Sequence, residues 1–196
     1  MIYQFKIHLK DIYNPIVWRR VLVPSDFTFV EFHEVIQVAF GWENSHMFFF
    51  SPKGYRSNPI IEMDPEVDES FEVISEDSLD AETTLLSEIF VSLKQKFTYI
   101  YDYGDDWNHQ IMLEKILMND EIEKPVLLNG EGACPPEDWG GPWGYDSLKK
   151  KLADKKHPDH KDMKEWMGLR PRQNWDAAAF ELEAFQQYFN EYFSNE

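Results

Sequence analysis

Tyr3, Phe5, Ile7 and Leu9 alternate without a break with polar neighbours. That two-residue period belongs to a strand with one face in a core and the other turned to water. Asn14-Pro15 then signals a turn, and Ile16 to Val23 supplies a second apolar run, so the N-terminus reads as a long antiparallel hairpin. Thr28 followed by Glu31 forms a capping box, which opens a helix whose apolar face carries Phe29, Phe32, Ile36 and Phe40 and which Gly41 ends. A short aromatic strand is expected around Met47 to Phe50, and a second hairpin from Phe97 to Tyr103 and His109 to Leu117. Thr84 is placed as the cap of a short helix through Phe90, and Val126 to Leu128 as one more strand.

Residues 51–83 are polar, acidic and punctuated by proline, and are expected as a surface excursion with a strand near Phe71 to Ile74. From Tyr145 the pattern becomes helical, with segments to Ala153 and from Asp159 to Met167. A last helix from Asp176 would show Phe180, Ala184, Phe185, Tyr188, Phe189 and Tyr192 at three- and four-residue spacing. Strands first and helices last predict an α+β fold. Residues 1–196 would form one domain: a mostly antiparallel sheet of two long hairpins packed against helices, with a C-terminal helical segment.

Charge and cysteine content narrow the function classes. Lys plus Arg number 19 against 36 Asp plus Glu, for a net charge of −17, which repels phosphate backbones over the surface as a whole. That charge argues against a whole-surface nucleic-acid binder, and a basic protein is the partner such a surface would attract. The acid is densest between Glu62 and Glu88, where lysine and arginine are absent. Cys134 is alone, which excludes an intrachain disulfide and a cysteine-built zinc site. With no apolar leader, and nothing near the ~18 apolar residues of a membrane span, the expected setting is the cytoplasm.

Two segments concentrate polar chemistry. In Tyr101-Asp102-Tyr103-Gly104-Asp105-Asp106-Trp107-Asn108-His109, a turn centred on Asp105-Asp106 would set Asp102 opposite His109 across the strands. Cross-strand Cβ atoms about 5 Å apart allow a carboxylate–imidazole hydrogen bond. That pair would either tie the hairpin end or orient a base or metal ligand. A turn centred on Gly104-Asp105 would separate the two side chains. In the second segment, Gly130 to Tyr145, five glycines and three prolines preclude regular structure but permit a fixed loop. Glu137 and Asp138 there could hold a hard cation beside Trp139 and Trp143, or the tryptophans could simply pin the loop to the sheet. His46 precedes an aromatic strand and is a further candidate, whereas His33 reads as a satisfied core-edge residue. His157 and His160 read as an exposed helix start, and Lys149 to Lys151 as a solubilising face.

Several blocks resemble a known family. They are Pro15 to Pro24, Phe32 to Gln37, Phe40 to His46, Tyr101 to His109 and Gly130 to Asp138. Together they resemble the Ri-plasmid open-reading-frame-3-like group, whose relatives include passenger proteins of insertion elements, with the likeness running from about Tyr3 to Phe189. The resemblance implies a single α+β domain of prokaryotic, mobile-element-associated origin, and no particular reaction. Two functions fit the residues. One is a binding or interaction module with an acidic surface. The other is a small metal-dependent hydrolase, using a divalent ion and the cluster Asp102, Asp105, Asp106, His109, Glu137 and Asp138. Both require the two polar segments to share one cavity.

Overall fold

The computed structural model describes residues 1–63, 78–118 and 122–194. Its centre is the pair of hairpins. Strands β1 (Ile2–Leu9) and β2 (Val17–Pro24) pair antiparallel from Ile2↔Pro24 to Leu9↔Val17. Tyr3, Phe5, Ile7 and Leu9 are all buried, as their alternation requires. Strand β3 (Phe48–Ser51) leads to β4 (Ile60–Glu62) and β5 (Ser78–Asp80), and β6 (Lys96–Tyr101) and β7 (Trp107–Leu117) form the second hairpin. Strand β7 lies antiparallel to β1, and β8 (Val126–Glu131) to β2, giving one eight-stranded sheet of order β5-β4-β3-β6-β7-β1-β2-β8. Among the described residues only β4 and β5 run parallel, a pair not anticipated from the polar 51–83 segment. The strand expected near Phe71 to Ile74 lies outside the described residues.

Helix α1 (Phe29–Phe40) lies on the apolar face of the sheet. The Thr28 hydroxyl accepts from the Glu31 amide, the Glu31 carboxylate accepts from the Thr28 amide, and Gly41 closes the helix at φ 80°. Phe5, Phe29, Phe32, Phe50 and Phe90 meet beneath it, with ring centroids 4.8–6.2 Å apart. Each such buried ring contributes roughly 1.5–3 kcal/mol. Helix α2 (Leu86–Ile89) is shorter than expected, and Leu85 rather than Thr84 stands before it, its amide bonded to Glu88. Helices α3 (Gly141–Ala153) and α4 (His160–Trp166) follow the Gly-Pro segment.

Helix α5 (Leu182–Ser194) packs on β8 and α1, where Gln186 donates to the Leu127 carbonyl. It starts six residues later than its apolar spacing suggested. Residues before it are taken up by tertiary contacts instead: Ala177 accepts a backbone bond from Ala133, and Phe180 lies 4.1 Å from the Arg19 guanidinium carbon. The molecule is thus α+β, one domain, with a C-terminal helix. Among the described residues no helix is long and apolar enough to cross a membrane.

Candidate functional site

The second hairpin does not have the register that would pair Asp102 with His109. Tyr101 stands opposite Trp107 and Tyr99 opposite His109, so the loop spans 102–106. Asp102 and Asp106 both take the left-handed conformation, at φ 56° and 54°, which aspartate tolerates better than most residues. The Asp102 carboxylate accepts from the Gly104 and Asp105 amides at 2.8 and 3.3 Å, so Asp102 opens the turn rather than ending the strand. His109 points into the core between Phe40, Trp42 and Tyr99. Burial pushes its pKa down to about 3, and its Nδ1 meets the Trp107 carbonyl at 2.9 Å. It is a neutral core residue and no member of the site.

His46 takes the place beside Asp102. Its Nε2 lies 3.0 Å from Asp138 Oδ1, 3.7 Å from Asp102 Oδ2 and 3.7 Å from Glu137 Oε2. That nitrogen is shut off from water and makes no hydrogen bond of acceptable geometry, although carboxylates converge on it. The His46 nitrogen and the Asp102 and Asp138 oxygens all lie within 4.8 Å of one another. Ligands about 2.1 Å from a cation stand roughly 3.0–3.5 Å apart, so small side-chain rotations would complete a shell. One imidazole with carboxylates and no thiolate suits Zn²⁺ or Mn²⁺.

The loop 41–46 that delivers His46 is laced down residue by residue. Trp42 donates its indole N–H to the Pro135 carbonyl, and the Glu43 amide donates to Glu137 Oε1, each at 2.9 Å. The Asn44 amide donates to Gln37 Oε1 at 3.0 Å, and the Ser45 amide to the Tyr101 hydroxyl at 2.9 Å. That hydroxyl in turn donates to Glu137 at 3.1 Å, and burial, then the nearby carboxylate, raises its pKa. Asn44 also accepts from His33 Nε2 at 2.6 Å, while His33 Nδ1 takes the Tyr99 hydroxyl at 2.7 Å. Buried and stacked on Phe48 at 3.7 Å, His33 has its pKa lowered to about 4 by desolvation. Glu43, Asn44, Gln37 and Tyr101 were not singled out from the sequence. They lie within the blocks Phe32 to Gln37, Phe40 to His46 and Tyr101 to His109, which were the only sign of them.

The two polar segments do meet. Asp105 Oδ2 accepts from the Gly140 amide at 3.0 Å, and a Cβ on Gly141 would lie 2.3 Å from the Asp105 carbonyl oxygen. Gly141 has φ 66° as well, so no other residue fits there without displacing the turn. Asp106 accepts instead from the Tyr55 hydroxyl at 3.1 Å, away from His46. Trp139 donates to the Gly144 carbonyl and packs against Trp166, ring centroids 4.3 Å apart and tilted by 46°, and so pins the loop rather than walling the cluster. Cys134 is half-buried against the core, and desolvation pushes its thiol pKa up, which disfavours a nucleophilic thiolate. His160 meets the Lys151 carbonyl, and Lys150 and Lys151 pair with Asp146 and Asp159.

Known proteins share this frame. The chain is 37% identical to the "Uncharacterized protein y4hQ" of Sinorhizobium fredii (strain NBRC 101917 / NGR234) over 174 residues, 86% of this chain and 81% of that one. The crystal structure of the protein of unknown function MM3350 from Methanosarcina mazei Go1 superposes with a TM-score of 0.77 at 29% identity, covering 93% of this chain and 96% of that one. The plasmid pRiA4b ORF-3-like protein family matches residues 1–184, and this chain, with its paired hairpins and clamped turn, belongs to that family.

Proposed function

We propose that the chain is a binding module whose ligand at the hairpin turn is a divalent transition-metal ion. His46 Nε2, Asp102 Oδ2 and Asp138 Oδ1 would supply the ligands, with Glu137 beside them. The observation that carries this is the orphaned His46 nitrogen, buried yet unbonded, with three carboxylates within 3.7 Å. The imidazole meets these carboxylates only by contacts of 3.0–3.7 Å, and a cation between them would join all four groups. The ion would join the loop 41–46, the 102–106 turn and the 137–141 segment. Its effect would resemble a clip between three loops that are otherwise far apart in sequence.

Metal content of protein purified without a tag tests this. About one equivalent of Zn²⁺ or Mn²⁺ is expected in the wild type and much less in Asp102→Asn. Protein that stays metal-free after exposure to both ions would overturn it.

A second reading is favoured by one observation: the Asp138 side chain is 73% exposed, so the cluster opens to solvent. A bound ion there would keep coordination positions for water and lower its pKa, as a hydrolytic centre requires. Turnover of ester or phosphoester probes by the metal-loaded protein, lost in Asp138→Asn, would move the assignment from module to hydrolase.

A further inference from the structure

A cleft of about 820 Å³ lies beside the same turn, lined by none of the four cation-site residues. Its walls are the β1–β2 turn with Asp11 and Tyr13, the 102–106 turn with Asp105 and Asp106, and the start of α3 with Trp143 and Asp146. These walls are tied together. Lys149 donates to the Tyr13 carbonyl, and the Gly140 amide donates to Asp105. Pro142 in the first turn of α3 fixes the backbone that carries Trp143.

Two features of the cleft call for a ligand. Trp143 is 89% exposed and Tyr13 64%, so two large rings stand in water at its rim. A single exposed ring is ordinary, but two at the rim of one cleft make an aromatic surface that a ligand can cover. The second feature is charge. Lys150 lies 2.6 Å from Asp146 and Lys149 3.7 Å, so the cleft's lysines are spent on one carboxylate. Asp11, Asp105 and Asp106 pair with no lysine or arginine among the described residues.

We propose that this cleft docks an arginine-bearing segment of a basic partner protein. A guanidinium is planar, stacks on aromatic faces and forks onto carboxylates, and rings flanked by aspartates that no lysine or arginine among the described residues neutralises match all three properties. The chain's net charge of −17 would draw such a segment in from a distance. The partner site and the cation site use different side chains, so one can fail without the other.

The test is a fluorescein-labelled nonapeptide of alternating arginine and glycine, titrated with full-length protein at 0.15 M salt (about physiological) and read by anisotropy. Matched peptides carry citrulline or lysine in place of arginine. The arginine peptide is expected to bind, the lysine peptide more weakly, and the citrulline peptide not at all. Trp143→Ala should weaken binding about five- to thirty-fold, the range that a cation–π contact of about 1–2 kcal/mol gives. His46→Ala, on a loop that does not line the cleft, should leave it unchanged while abolishing metal uptake. Because Trp143 is so exposed its loss will not unfold the chain, and a melting curve on the variant verifies that. Equal binding of the citrulline peptide, or full affinity in Trp143→Ala, would overturn the proposal and leave only diffuse charge attraction.

Discussion

Arg19 and His46 each place polar nitrogens out of reach of water, and they are treated in opposite ways. The Arg19 guanidinium is fully buried and forms no ion pair with a carboxylate among the described residues, but a cage of backbone oxygens meets it. Its Nε donates to the Ala39 carbonyl, its terminal nitrogens to those of Trp18, Glu131 and Gly132, and Phe40, Phe180 and Phe185 surround it. The Ala39 carbonyl lies in the last turn of α1, where the helix dipole favours a cation. Burial lowers the Arg19 pKa to about 10, which leaves it charged at neutral pH. Every guanidinium nitrogen of Arg19 is bonded, and the group holds β2, α1, β8 and the C-terminal segment in one knot. His46 has a nitrogen with no bond and three carboxylates around it. A polar group already satisfied serves the fold, whereas one left open among opposite charges is available to a ligand. His109 Nε2 is also unbonded, but it faces rings, so the surroundings decide and not the orphaned atom alone.

The largest expected effect breaks the saturated side. Arg19→Met would strand four carbonyls at about 1–3 kcal/mol each. A loss of at least about 4 kcal/mol is expected, which calorimetry would record as a fall in Tm of roughly 10 °C or more. A fall of only a degree or two would show that the cage is ornamental.

Acid sharpens the contrast among the histidines. His33 and His109 have folded pKa values of about 4 and about 3, below the ordinary 6.5, because burial disfavours their charged forms. The unfolded chain therefore binds more protons between pH 6.5 and those values, and stability falls as pH drops through that window. His8, with its pKa lowered by partial burial and by Lys10 and Lys6, acts in the same direction. About 2 kcal/mol for each of the two buried rings is expected between pH 7 and pH 5, read from urea midpoints. A flat profile would contradict the assignment of both as neutral core residues.

Gly141→Ala comes next. The added methyl would meet the Asp105 carbonyl at φ 66°, so a loss of about 1–3 kcal/mol is expected, with weaker metal uptake because the turn is pushed away. Unchanged affinity would mean that the turn and the Gly-Pro segment are set independently. The smallest effect is His46→Ala, which should change the stability of metal-free protein by less than about 0.5 kcal/mol. The same variant should abolish the stabilisation that added Zn²⁺ gives the wild type, about 2.7 kcal/mol at a hundredfold excess over Kd.

Much of the fold was legible because local rules and tertiary needs agree in it. The alternation in β1 and the Thr28–Glu31 box are short-range signals, and the structure obeys both. The second hairpin misled at its tip, where Asp102 and Asp106 take left-handed conformations and widen the turn to 102–106. That change moved His109 from the expected site into the core. The start of α5 misled because Phe180, which fits the helical stripe, is used outside the helix to cover Arg19. Within the site, the acidic turn and Glu137-Asp138 stood out by composition. What places His46 among them is a set of long-range bonds from Trp42, Glu43, Asn44 and Ser45, none of which leaves a periodic trace.

The most direct test is a Zn²⁺ titration followed by the ¹⁵N shifts of the six imidazole rings. The expected result is a large displacement of His46 Nε2 that is complete near one equivalent, with the rings of His33 and His109 unmoved. A titration in which His46 stays still, or in which the exposed rings drift together without saturating, would contradict the cation site.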